Sequence, residues 1–114
     1  MKKEIHEFHA EFCKTFSNPK RLEIMCLLKE GEMTVSDITK KLGISKANMS
    51  QHLTVMRATG ILKTRKKGTN IYYGIANKKI TQACGLMQDA LAHLIAGITE
   101  VSKQEVLAAM KGAK

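Results

Sequence analysis

Three residues, Gly43-Ile44-Ser45, most constrain how this chain can fold. On their N-terminal side, Thr34 followed three residues later by Asp37 resembles a capping box and predicts a short helix ending at Gly43. On their C-terminal side, Ser45 is an N-cap for a helix from Lys46 to about Thr59, stopped by Gly60. Two short helices with so brief a turn between them read as a helix-turn-helix unit. Any two short helices can mimic the pattern, so the surrounding sequence has to decide what it means.

After Gly60 the period changes. ILKTRKK and NIYYGI are rich in branched and aromatic residues and flank Gly68-Thr69, which predicts a β-hairpin. A hairpin directly after the second helix of such a unit is a wing. Upstream, Ile5, Phe8, Phe12 and Phe16 fall at helical spacing and predict an amphipathic helix over 3–16. Asn18 as N-cap and Pro19 as first helical residue then open a second helix, running to about Lys29 and stopped at Gly31. It contains Ile24-Met25-Cys26-Leu27-Leu28, apolar nearly all round, which predicts a helix buried on most sides. From Asn77 the chain is helical again, with Ile80, Cys84, Met87, Leu91, Leu94 and Ile98 forming a heptad seam. A seam between two subunits and a helix packed on its own domain explain that spacing equally well. Ser102 with Glu105 resembles another capping box and starts a short terminal helix.

The length, 114 residues, suits one domain over 1–114 and is small enough for a partner subunit to help. No apolar run approaches the length of a membrane span. The N-terminus is interrupted by Glu4, His6, Glu7, His9 and Glu11, unlike a signal peptide, so a cytoplasmic protein is expected. Cys13, Cys26 and Cys84 are too few and too scattered for a disulfide framework or a zinc knuckle. The net charge of +9 is unevenly spread. Ten of the 19 lysines and arginines lie between Asp37 and Asp89, a stretch without a single acid, so the whole excess sits around the helix-turn-helix and the hairpin. A phosphate-binding surface sorts charge in this way.

On the helix from Lys46, Met49, Leu53 and Met56 share one face at about 100° per residue, and that face is core. The opposite face carries Ala47, Ser50, Gln51 and Thr54, with Lys46 and Asn48 at its start and Arg57 further along. Gln and Asn can bond an adenine edge, Ser and Thr a base or a phosphate, and Ala a thymine methyl. His52 falls near the apolar side, where a packed or phosphate-bonding role is expected. In the hairpin, Arg65, Lys66 and Lys67 cluster beside the turn, within reach of the backbone or minor groove of flanking DNA, or simply solvated.

The run SNPKRLEIMCLLKEGEMTVSDITKKLGISKANMSQHLTVMRATGILKTRKKGTNIYYGI resembles the core of the ArsR/SmtB family of bacterial and archaeal winged-helix repressors. The resemblance covers 17–76 and rests on Asn18 to Leu22, Gly31-Glu32, Asp37-Ile38, Ser45 to Leu53, Gly60-Ile61-Leu62 and Tyr72-Tyr73. It implies a winged helix-turn-helix, mainly α with a β-hairpin wing, paired as a homodimer through terminal helices at about 3–16 and 78–98. It also implies operator binding that an inducer reverses. The arsenic and cadmium sensors of the family carry two cysteines where Thr34 and Ser36 stand here, so that site is absent. His93 matches one zinc-sensor ligand, but Asn77, Lys78 and Lys79 stand where the other ligands begin. A sulfur-responsive branch has a cysteine in the second helix, matched by Cys26, and another in the fifth, where Cys84 lies about two turns early.

These readings lead to a DNA-binding repressor, not an enzyme, with double-stranded operator DNA and a second copy as partners and no cofactor. Its inducer is expected to be a sulfur species or oxidant sensed through Cys26 and Cys84. Against that, free cysteines on apolar faces also serve as small core residues. A metal-responsive alternative places His6, His9 and Cys13 on one side of the first helix, a ligand mix suited to soft ions, or else its polar border. An alternative of another class is a winged-helix module that binds protein, which the acid-free stretch argues against.

Overall fold

The computed structural model describes residues 3–97 and 100–112. In chain order the elements are α1 (Lys3–Thr15), α2 (Pro19–Leu28), β1 (Met33–Thr34), α3 (Val35–Leu42), α4 (Lys46–Ala58), β2 (Leu62–Lys67), β3 (Asn70–Ile75), α5 (Lys78–Ala96) and α6 (Glu100–Gly112). They fall into two compact units, Met1–Thr81 and Gln82–Lys114. Among the described helices none is long and apolar enough to cross a membrane.

Local chemistry sets the helix boundaries. The Asn18 side chain accepts the backbone N–H groups of Lys20 and Arg21 at 2.9 and 3.2 Å, while Pro19 at the first position has no N–H to leave unpaired. Thr34 accepts the N–H of Asp37, and Ser45 that of Asn48, each at 3.2 Å. Gly43 ends α3 in the left-handed region at φ 65°, its N–H donating to the Thr39 carbonyl at 2.8 Å. Only glycine takes that conformation without strain, and it turns the chain sharply into α4.

The sheet has the order β1-β3-β2 and is antiparallel throughout. β2 and β3 pair from Leu62 opposite Ile75 to Lys67 opposite Asn70, joined by the two-residue loop Gly68-Thr69. Gly68 supplies the positive φ, 64°, that a tight hairpin needs at its first loop position. β1 is an addition to the expected hairpin: Met33 lies opposite Tyr73 and Thr34 opposite Tyr72. Two residues are too few to show alternation, so the sequence carries no strand signal there. Thr34 closes this strand and caps α3 at the same time.

The core joins Ile24, Met25 and Leu28 of α2 to Ile38 of α3, Met49, Leu53 and Met56 of α4, and Ile61 and Leu62 at the root of the wing. Burying each such side chain contributes roughly 1.5–3 kcal/mol. This core fixes the helix-turn-helix against α2 and the sheet.

The structure corrects the picture of α2 as buried on most sides. Ile24, Met25 and Leu28 gather on one face, while Leu22 and Cys26, a turn apart, lie on the opposite one and are exposed. Nearly all-round apolarity here marks two different faces rather than one deep core. α1 is amphipathic as expected, with Phe12 and Phe16 meeting edge to face at 5.3 Å, yet Ile5 and Phe8 remain exposed. In α5, Met87, Leu91 and Leu94 of the seam are likewise exposed; Ile98 lies outside the described residues. α6 begins at Glu100, so Ser102 is inside the helix rather than at its cap.

Candidate nucleic-acid interface

α4 is held by its buried Met49, Leu53 and Met56, so its other face is fixed in orientation. That face presents Lys46, Ala47, Asn48, Ser50, Gln51, Thr54 and Arg57, all exposed. None of them is acidic, and α4 has no acid in its first turn. The Thr54 hydroxyl donates to the Ser50 carbonyl at 2.7 Å, which leaves its oxygen as an acceptor toward solvent. A rigid helix with short polar groups on one side and free amides at its start can lie in a major groove.

His52 lies at the border of this face, half-buried. The Arg21 Nε on α2 donates to its Nδ1 at 3.2 Å. This bond requires an unprotonated Nδ1, and burial followed by the nearby Arg21 charge holds the imidazole below its ordinary value near 6.5. The expectation of a packed histidine is met, with a partner 31 positions away that no local pattern announces.

The wing splits the three basic residues expected to act together. Along β2 successive side chains alternate between faces, so Lys66 points away from Arg65 and Lys67. Lys66 and Lys67 stand exposed beside the hairpin turn. Arg65, expected at the backbone or minor groove of DNA or simply solvated, is engaged with Glu32 in the turn after α2, its Nη2 2.8 Å from Glu32 Oε1. Sequence reading missed Glu32 as part of the wing because it precedes the acid-free stretch and reaches the hairpin only in three dimensions.

The three cysteines are free. Cys13 on α1 and Cys26 on α2 are exposed, which goes against the alternative reading of Cys26 as a small core residue. Cys84 on α5 is half-buried, and burial pushes its thiol above the ordinary value, favouring the protonated form at neutral pH. The metal alternative finds no geometry: among the described residues no three His, Cys, Asp or Glu side chains come together to hold an ion, His6, His9 and Cys13 included.

Comparison with known proteins follows the same lines. Residues 18–64 match a family model described as bacterial regulatory protein, arsR family. The biofilm growth-associated repressor of Xylella fastidiosa is 38% identical over 82 residues, covering 72% of this chain and 71% of that one. The crystal structure of Rv0081 from Mycobacterium tuberculosis superposes with a TM-score of 0.78 at 29% identity, over 83% of this chain and 96% of that one. A homodimeric winged helix-turn-helix DNA-binding domain from Mycobacterium bovis, described as a possible ArsR-family regulator, gives 0.73 at 28% identity, over 78% and 82%.

Proposed function

This chain belongs to the arsR family of bacterial regulatory proteins, and from that premise we propose that it is a homodimeric repressor, released from its operator by an inducer acting on its thiols. As a member it is a DNA-binding transcriptional regulator and not an enzyme. The observation that carries the DNA contact is the exposed, acid-free face of α4, set rigidly by the three buried residues behind it. In this reading Gln51 and Asn48 read base edges, Ser50 and Thr54 bond bases or phosphate, and Ala47 meets a thymine methyl. Lys46, Arg57, Lys66 and Lys67 take the phosphate backbone on either side.

Pairing is supported by apolar surface that a lone subunit leaves open. Ile5, Phe8 and Phe12 on α1, and Met87, Leu91 and Leu94 on α5, are exposed in runs at helical spacing. A two-fold dimer would present two α4 helices to half-sites about one helical turn apart.

The thiol reading is supported by the position of Cys26. It is exposed on a helix whose other face packs against α3 and α4, and whose Arg21 holds His52 on α4. A peroxide converts an exposed thiol to a sulfenic acid with release of water, and a second thiol then displaces water to form a disulfide. Cys26 is the first to react in this scheme, and Cys84, kept protonated by burial, follows.

The test enriches duplexes from a random-sequence library with the full chain, then measures binding before and after treatment with peroxide, persulfide and chelated metals. Mass spectrometry of the thiols runs in parallel. Release by peroxide or persulfide that disappears in Cys26→Ser supports the thiol reading. Release that persists in Cys26→Ser and Cys84→Ser removes it while leaving the DNA reading intact, and a chain that enriches no duplex removes both.

A further inference from the structure

Glu32 and Arg65 lie 33 positions apart in sequence and meet past the middle of β2, on the outer half of the hairpin. Arg65 Nε donates to Glu32 Oε1 at 2.9 Å, and Nη2 lies 2.8 Å from the same oxygen. The guanidinium carbon sits 5.4 Å from the centre of the Tyr72 ring, which belongs to the residue directly across the hairpin. That is a cation–π distance, so the group is held from two sides.

The rest of the site is shaped around the carboxylate. Gly74 follows Tyr72 on the same face of β3, and a Cβ placed on it would come within 3.0 Å of Glu32 Cγ. The glycine therefore leaves the space through which the Glu32 stem crosses the strand. Lys63 stands opposite Gly74 in the hairpin. The hydrogen bond from Arg65, with smaller contributions from the Arg65 and Lys63 charges, keeps the Glu32 carboxyl below its ordinary range despite some desolvation. The pairs Lys14–Glu11 and Lys20–Glu23 each link neighbours on one helix turn; this one ties the hairpin to the turn that precedes the helix-turn-helix.

We infer that Arg65 is a positioning residue for the wing and not a phosphate ligand. By clamping β2 to Glu32 it fixes the angle at which the hairpin leaves the body, and so the direction in which Lys66 and Lys67 reach DNA. A phosphate approaching the guanidinium would find Nε and Nη2 already engaged by a carboxylate and would meet that carboxylate's negative charge. The inference rests on the wing meeting DNA as proposed above.

The consequence runs against simple charge arithmetic. Removing a negative charge from a protein normally strengthens its hold on a polyanion. If Glu32 positions Arg65, Glu32→Gln weakens binding instead. The experiment follows the affinity of the full chain for a duplex enriched from a random-sequence library, as a function of salt, for wild type, Glu32→Gln, Arg65→Ala, the double variant and Lys66→Ala.

The expected result is a loss of about threefold for Glu32→Gln and for Arg65→Ala, within the range of an exposed ion pair. The double variant should be no weaker than either single one, since both break the same clamp. The slope of log affinity against log salt should stay at the wild-type value in all three, whereas Lys66→Ala lowers it by about 0.9. Tighter binding by Glu32→Gln, or a slope for Arg65→Ala reduced as in Lys66→Ala, overturns the inference and makes Arg65 a phosphate ligand. A wild-type chain that enriches no duplex overturns it together with the DNA reading, a result unlike either of the others.

Discussion

Arg21 on α2 and His52 on α4 form a hydrogen bond of 3.2 Å that ties α2 to the second helix of the helix-turn-helix, with the imidazole as acceptor. The bond exists only while the ring is neutral. Since the folded state holds the imidazole below 6.5, the unfolded chain binds the proton more readily. Stability from this pair is thus fully present above about pH 6.5 and is lost as pH falls through the depressed value. Thermal melts between pH 7.5 and 5.0 should show a loss on the order of 1 kcal/mol. His52→Gln, whose amide oxygen accepts from Arg21 at any pH, should remove that part of the pH dependence. An equal decline in both proteins would mean that other groups govern it.

Gln51 and Lys66 are assigned different tasks, one on the exposed face of α4 and one at the tip of the wing. Gln51→Ala should cost about 1–3 kcal/mol on the enriched duplex and little on a scrambled one. Lys66→Ala should weaken both duplexes by the same factor. Fluorescence anisotropy on the two duplexes separates these outcomes, and equal losses for Gln51→Ala would take base reading away from that residue.

Leu53 is 1% exposed at the centre of the α4 packing face. Leu53→Ala should destabilise the protein by about 2–5 kcal/mol, the range for a large side chain removed from a filled core. Urea unfolding measures it directly. A loss below about 1 kcal/mol would indicate that the site collapses around the smaller residue.

Phe8 and Leu94 are 73% and 67% exposed, so neither supports the fold of a single subunit. Phe8→Glu and Leu94→Glu should leave the melting of the core unchanged but raise the dimer dissociation constant by about two orders of magnitude, the scale of losing an interface anchor. Sedimentation velocity over a concentration series reads this. Unaltered association would assign those faces to a different partner.

What the sequence made legible was local. The caps at Asn18, Thr34 and Ser45 and the buried triplet Met49, Leu53 and Met56 follow from neighbours within a turn or two, and the structure has each of them in that role. What escaped was set by distance or by facing. Glu32 with Arg65 and Arg21 with His52 join segments more than 30 positions apart, with nothing in either segment to name the other. Cys26 sits in an apolar run, and an apolar run does not say which of its sides is covered. β1 is simply shorter than any period by which a strand could be recognised.

Thr34 pairs with Tyr72 in the sheet while its hydroxyl receives the first turn of α3. One residue is therefore the weld between two working parts, and no spare chain separates them. An inserted residue there would have to either break the strand or uncap the helix. Lineages of this protein should vary in length at the hairpin tip and after α5 and keep an invariant spacing at this joint, a pattern that a collection of orthologous sequences would reveal at a glance.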